Sequence, residues 1–511
     1  MNAPVDSART PEPVISPRVA EEKSMSSSSV LETASVEVPE LRSPTHVSGV
    51  PEFLSLPGHD TSAVDARLAD IAALEYVTSV LGLPDRHQKG AMEVPSSIGI
   101  ATRGMIVPEF TSVAVNDGMG VIATDLLARD LSPGRIQALF ARIGSHASGH
   151  VLERNRYSLN RDELRRALVE GGAGVVQRYG LDPSVTDRME NGARIALPED
   201  PDRCIERYVP PMLLNERLTA SEMGLNFGGN HFLELQVVDQ ILDPVAAAEW
   251  GLHAGQVVVM YHLGPGPFSG TLLHHFSRRS KIDSARVPAF FLSKLWFHYL
   301  QRAGDGTLGD KWRTHFRRNG LTAIPEASPE GVAFRAALAM AMNFGYAYRL
   351  ATVRAVVDGL RETVSPRVQA NLLFDVSHNG ITHEQLGGEP RWVARHNACR
   401  LVPGAPTIVA GAWDVPSYLG VGGHDGDGRL HSYDHGAGHL IEQARDAGRM
   451  APTRDTVTRI RMTRGRDAQV TSSRSVTVLD PGPLDQLMNR LAQDGLMRSA
   501  VRLRPIGNLK N

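Results

Sequence analysis

The sequence predicts a mixed α and β body behind a disordered tail, and three observations carry that reading. Apolar positions at helical spacing recur from Ser62 to Leu81, and a capped, alanine-rich stretch reads as a long helix from about Pro329 to Leu360. Short β-rich apolar runs, Ile98 to Thr102, Val257 to Met260 and Leu372 to Val376, each lead toward glycine or a polar turn. Residues 1–60 hold few large apolar side chains before Phe53 and Leu54, recur in proline, and run from Ser24 to Ser29 broken only by Met25. Such a composition buries too little surface to offset the entropy of ordering the chain. Residues 61–511 show no internal repeat and no long structureless linker, so they read as one domain.

Composition narrows the class of protein. The chain has 511 residues, 42% of them hydrophobic, which is ample for a large core, and only 2 cysteines, which excludes a disulfide scaffold. Cys204 and Cys399 form no ligand-spaced pair, no run of about eighteen apolar residues exists, and no signal-peptide pattern opens the chain, so a cytoplasmic location is expected. Outside the tail, 50 basic residues face 47 acidic ones, a balance that neither demands nor excludes a nucleic acid.

Taken in order, Val64, Leu68, Ile71, Leu74 and Val77 predict one amphipathic helix from Ser62 to Leu81, ended by Gly82 and Pro84. Leu83 to Gly90 reads as a charged loop containing Pro84-Asp85-Arg86-His87. The segment Ile106 to Gly120 reads as an apolar β stretch delivering Asn116, Asp117 and Met119 into a glycine turn. Residues 121–215 read as helices and connections, with Ser132-Pro133 opening one helix and Arg161 to Glu170 forming another. Gly228-Gly229-Asn230-His231 is a tight polar segment ahead of a strand beginning Phe232-Leu233-Glu234-Leu235. A second strand ends in Tyr261-His262-Leu263-Gly264, and a third in Ser377-His378-Asn379-Gly380. A single histidine in such a place is usually a core or loop residue. Three beside apolar strands also fit convergence on a shared metal, for which imidazole is the commonest ligand.

Ser328 and Pro329 supply an N-cap and first position for the longest helix, whose Ala336 to Ala341 stretch suits close packing on a sheet. Asn343 and Arg349 within it read as core hydrogen-bonders or substrate contacts. After Arg395-His396-Asn397-Ala398 come Ala410-Gly411-Ala412-Trp413 and Ser417-Tyr418, then Ser432-Tyr433-Asp434-His435-Gly436-Ala437-Gly438. A neutral imidazole followed by small residues can meet a phosphate closely, which makes His435 the candidate nucleophile, against the plainer reading of a histidine in a turn.

In this order the motifs resemble those of the RtcB family of GTP- and manganese-dependent RNA ligases. The matching stretches are Pro84 to His87, Asn116 to Gly120, Gly228 to Phe232, His262 to Gly264, Ala341 to Arg349, His378-Asn379, Ala410 to Tyr418, His435 to Gly438, and Lys510, spanning roughly residues 60 to 511. The resemblance implies a single α+β catalytic domain of mixed β-sheets and packed helices. It implies that His435 is guanylated by GTP and passes the guanylate to an RNA 3′-phosphate, itself freed from a 2′,3′-cyclic phosphate, before a 5′-hydroxyl seals the strands. It also implies metal ligation, by Mn2+ in one or two ions, at His231, His262 and His378. Guanine-nucleotide contacts would come from Asn230, His231, Phe232, Leu233, Glu234, His378, Asn379, Ala410, Gly411, Ala412, Trp413, Ser417, His435, Gly436, Ala437, Gly438 and Lys510.

Departures from the family pattern concentrate on the metal. Asn116 and Met119 stand where the family carries an aspartate and a cysteine thiolate bridging two ions, and a neutral amide and a thioether are poor ligands for a hard cation. Asp117 is one residue away, and a shift by one on a strand points to the opposite face. A single three-histidine site is therefore expected. The alternatives are a metal-dependent phosphoester hydrolase and an inactive RNA-binding protein. Arg278 to Lys281, Lys311 to Arg318 and Arg459 to Arg466 are the basic clusters that could follow an RNA backbone, or simply face solvent.

Overall fold

Two β-sheets meet at His378. The computed structural model describes residues 51–90, 92–148, 152–265, 267–277, 287–316, 320–424, 427–464 and 467–510. The expected tail up to residue 50 and the Arg278 to Lys281 cluster lie outside them. In the larger sheet, of nine strands, the sequence of neighbours is Pro406–Val409, Ser417–Gly422, Met497–Lys510, Phe232–Ile241, Gln256–Leu263, Gly118–Leu127 and Ala370–Ser377. Pro452–Met462 adds to Met497–Lys510 in parallel and pairs with Val470–Leu479. The smaller sheet orders Glu52–Phe53, Val77–His87, Ser96–Thr102, Glu389–His396 and Asn379–Leu386. One strand of the large sheet ends at Ser377 and one of the small sheet begins at Asn379, so His378 is the seam.

The helix Pro329–Thr363 fills the space behind the large sheet. Its Ser328 cap forms as the sequence predicts, Oγ accepting from Gly331 N at 3.0 Å. From Ala333 to Leu360 every residue but Arg335 and Arg354 is buried, so this helix is core all round rather than amphipathic. Small residues allow the close approach, and the polar exceptions are satisfied. Asn343 Nδ2 donates to Leu168 O at 2.9 Å and Ile195 O at 3.0 Å, while its Oδ1 accepts from Ile195 N at 2.7 Å. Arg349 holds Asp375 through two bonds of 2.7 Å, with both side chains fully buried. Both residues are core hydrogen-bonders.

Three local expectations are corrected. The first helix stops at Ala72, and Val77 to His87 is a strand pairing with Ser96–Thr102. The Val77-Thr78-Ser79-Val80 run favours pleated structure, and Val77 falls on the helical period by coincidence. The charged loop is therefore largely the end of a buried strand. Arg86, fully buried, donates to Asp65, Thr61 and the carbonyl of Leu54. Lastly, the strand near Asn116 follows the turn instead of leading into it, starting at Gly118 and running to Leu127. Apolar content in Ile106 to Val115 reflects burial of a short strand end at Ile106, a 3-10 turn at Pro108–Phe110 and the connection that follows. Upstream, Glu52 and Phe53 already pair with Leu81 and Gly82, and Leu54 and Leu56 are buried in the core.

Candidate functional site

Neighbouring strand ends gather the histidines at one edge of the large sheet. Phe232, first residue of its strand, pairs with His262, and Gly118, first of its own, pairs with Leu263 and with Ser377. His231, His262, Asp117 and His378 thus arrive together from four chain segments. Three of the predicted metal residues converge, and Asp117 joins them although its place one residue past Asn116 predicts the opposite. Asn116 adopts a left-handed φ of 59°, which breaks strand alternation, and Asp117 still precedes the strand. The only clue in the sequence is that Asp117 is the sole carboxylate in Asn-Asp-Gly-Met-Gly.

Geometry within the cluster is close. Asp117 Oδ2 lies 3.3 Å from His231 Nε2, 3.6 Å from His378 Nε2 and 3.9 Å from His262 Nε2. The two Nε2 atoms of His262 and His378 are 3.2 Å apart. Asp117 Oδ1 is buried and has no hydrogen-bond partner among the described residues. Burial opposes ionisation of Asp117, but His231 and His378 outweigh it and hold its pKa well below the usual carboxylate range. Burial lowers His262 well below the ordinary imidazole value and also lowers His378, so both rings are neutral near pH 7. Asp117 and the neutral rings of His262 and His378, converging through lone pairs, form a donor set that fits a divalent cation, while His231 lies against it with a pKa that Asp117 raises despite burial.

His435 follows the strand Ser432–Asp434 and precedes the helix Gly438–Asp446. Its ring stacks on His378 with centroids 4.7 Å apart and lies edge-on to His262 at 6.0 Å. Nδ1 is 2.9 Å from the carbonyl of Asn397, which calls for N–H on that side and leaves Nε2 with the lone pair. Burial, reinforced by His378 and His262, holds its pKa well below the usual value, so the ring is neutral. Ala410 fixes the backbone around it, its N donating to His435 O and its O accepting from Ala437 N, both at 3.0 Å.

Beside the cluster opens a cavity of about 450 Å³ lined by Lys89, Asp117, Asn226, Asn230, His231 and Asn397. Asn379 also lines it, and Oδ1 of Asn379 accepts from Asn397 N at 2.9 Å. Lys89 and Asn397 are contributors that the sequence reading did not single out. Of the remaining predicted nucleotide contacts, Asn230 is exposed to the cavity while Leu233, Glu234 and Ser417 are buried. Ser417 Oγ accepts from Gly411 N at 3.0 Å and Gln236 at 3.2 Å. Glu234 Oε1 accepts from Asn508, and burial pushes its pKa to about 8. Phe232 meets His262 edge-on, and Arg459 stacks over half-buried Trp413 at 3.9 Å. Lys510 is half-buried on a sheet strand rather than a free terminus, with Arg461 opposite it. Asn116 and Met119 stay outside the cluster, the first bonded to Met342 O and Arg349, the second in the apolar core.

Asp85, in the Pro84 to His87 motif, reaches the same loop. Its buried carboxylate accepts from the N–H groups of His439 at 3.4 Å and Leu440 at 2.8 Å, the first turn after His435-Gly436-Ala437. Burial pushes its pKa up to about 7, and the neighbouring Asp434 is raised as well, with Asp85 contributing. A folded pKa above the ordinary value favours the protonated native state. The contribution is complete below about pH 4 and is lost as pH rises through about 7, on the order of 4 kcal/mol in total. Asp85→Asn is therefore expected to gain stability relative to the native chain between pH 5.5 and pH 8, read as the shift in urea midpoint at each pH.

Among the described residues a second grouping, His298, His315 and Glu330, is also close enough to hold an ion. There the buried Arg302 donates to Glu330 Oε2 at 2.8 Å and to His298 Nδ1 at 3.2 Å, so a guanidinium already fills the position. Lys311, expected in an RNA-facing cluster, is buried beside it and donates to the carbonyls of His298 and Arg302.

Comparison with known proteins bears on what this arrangement is. A family profile described as tRNA-splicing ligase RtcB matches residues 67–511. The chain belongs to the RtcB family. It is 26% identical over 471 residues to the tRNA-splicing ligase RtcB of Thermococcus kodakarensis, covering 86% of this chain and 90% of that one. Against the RNA-splicing ligase RtcB of Mycobacterium tuberculosis, identity is 29% over 389 residues, 68% of this chain and 82% of the relative. For the tRNA-splicing ligase RtcB of Pyrococcus abyssi it is 27% over 424 residues, and this match spans 78% of the chain but only 42% of the relative's length. Family membership agrees with the mixed α and β architecture. No helix among the described residues is long and apolar enough to cross a membrane.

Proposed function

We propose that this protein is an RNA ligase that joins a 3′-phosphate or 2′,3′-cyclic phosphate end to a 5′-hydroxyl end through a guanylated His435. The observation that carries the reading is the posture of His435: a neutral ring with Nδ1 committed to Asn397 O and Nε2 free, packed on the histidine cluster. In the first step the Nε2 lone pair attacks the α-phosphorus of GTP and pyrophosphate leaves. The RNA 3′-phosphate then takes the guanylate, releasing the imidazole. The 5′-hydroxyl oxygen finally attacks the phosphorus of the RNA 3′-phosphate, losing its proton as the bond to the guanylate breaks and GMP departs. A cyclic end is first opened by water to the 3′-phosphate.

His231, His262 and His378 would hold the divalent cation, Mn2+ in the family's pattern, which supplies neutralisation of phosphate charge when bound. Rigidity comes from the chain itself. Asn397 orients the nucleophile, Ala410 ties down its loop, and Asp85 anchors the helix that follows. Lys89 and Asn230 line the cavity in which guanine nucleotide and RNA phosphates would lie.

Joining of a labelled 3′-phosphate RNA to a 5′-hydroxyl RNA, in the presence of GTP and Mn2+, tests the reading. Release of phosphate without joined product would favour an end-processing hydrolase, and binding without either reaction a non-catalytic protein. For the RNA surface, Arg461 is exposed beside Lys510 and near Arg459. Arg461→Glu is expected to weaken RNA binding and to reduce the slope of log affinity against log salt by about 1.

A further inference from the structure

Resting on the reading that a divalent cation serves His435, we infer that this chain holds one ion, not two, and that Asp117 is its carboxylate ligand. Distances within the cluster support a single centre. Ligands about 2.1 Å from one tetrahedral ion stand about 3.4 Å from one another. Among Asp117, His262 and His378 the separations, 3.6 and 3.9 Å from Asp117 Oδ2 to the Nε2 atoms of His378 and His262 and 3.2 Å between those two Nε2 atoms, lie around that value, and His231 Nε2 approaches the same carboxylate oxygen at 3.3 Å. The backbone is built to bring the carboxylate there. Asp117 N donates to Ala114 O, and Asp117 O accepts from His378 N at 2.9 Å, pinning the turn to the seam between the sheets. Gly264 leaves the space, since a Cβ at that position would stand 2.7 Å from Asp117 Oδ1.

Beside this centre, the described residues offer a second ion no comparable donors. Both ends of the Asn116 amide are committed, Nδ2 to Met342 O and Oδ1 to the Arg349 guanidinium at 3.2 and 3.3 Å. Met119 pairs with His262 in register, but its side chain is fully buried among the apolar residues of the core, and a thioether brings no charge. Charge counts the same way. One divalent ion with one carboxylate leaves a single net positive charge in a buried site; two ions would leave three, with only imidazoles and solvent to offset them.

Metal content of the full chain, loaded with Mn2+ and desalted, reads the inference directly, together with the electron paramagnetic resonance spectrum of the bound ion. The expected result is one Mn2+ per chain with the hyperfine pattern of an isolated ion. Met119→Leu is expected to keep that stoichiometry. Asp117→Asn, shown to be folded by its circular dichroism melt, should weaken Mn2+ binding by more than about 100-fold, beyond the 10- to 100-fold typical of residues that only support a ligand. Two ions per chain with a coupled spectrum, or unchanged affinity in folded Asp117→Asn, overturns the inference while leaving the ligase reading in place. A folded native chain that retains no Mn2+, Co2+ or Zn2+ overturns both.

Discussion

His435→Ala is expected to abolish RNA joining, with a loss of at least about 10⁴-fold, the scale seen when a covalent nucleophile is removed from an otherwise intact site. The loss should appear in joining, measured with 3′-phosphate and 5′-hydroxyl RNAs, while the melting temperature stays within a few degrees. Stability is spared because the loop is tied through backbone atoms: His435 O accepts from Ala410 N, and Ala437 N donates to Ala410 O. RNA affinity should also persist, since the candidate phosphate-facing cations, Arg459, Arg461 and Lys510, lie on other strands.

Arg349→Met carries the largest expected cost in stability, about 3–5 kcal/mol, because it strands a buried carboxylate. Asp375 would keep only the Tyr261 hydroxyl, which donates to it at 2.6 Å, and the carbonyl of Asn116 would lose the guanidinium that now reaches it. Urea denaturation reads the loss. Replacing both partners, Arg349→Met with Asp375→Leu, should cost less than the sum of the two single changes, since neither charge is then left alone. Arg349 also fixes the residue before Asp117, so surviving folded Arg349→Met should bind Mn2+ more weakly than the native chain.

How far the sequence revealed these features depended on whether local chemistry or distant packing decided them. The helix from Pro329 was legible because its cap, first proline and alanine-rich stretch are local signals, and it runs to Thr363. Ser132-Pro133 and Arg161 to Glu170 were legible for the same reason. Val77 to Leu81 was misassigned because its apolar spacing suits a helix for one turn more, while the partner that makes it a strand, Ser96–Thr102, lies beyond an intervening turn. Histidine convergence could be anticipated, because His231, His262 and His378 each stand at the end or edge of an apolar strand. Asp117 could not, since its direction follows from the left-handed backbone of Asn116 and the contact of the turn with His378. Lys510 looked like solvated decoration at a chain end, yet it continues a strand held on both sides. Lys311 shows the reverse error, a cation in a basic run that is buried against carbonyl oxygens.

Histidine guanylation is tested most directly by intact-protein mass spectrometry after incubation with GTP and Mn2+. The expected result is a mass increase of one guanylate on the native chain, lost when RNA with a 3′-phosphate is added and absent from His435→Ala. A folded, Mn2+-loaded native chain that carries no guanylate would contradict the ligase reading and leave the site to phosphoester hydrolysis or to binding alone.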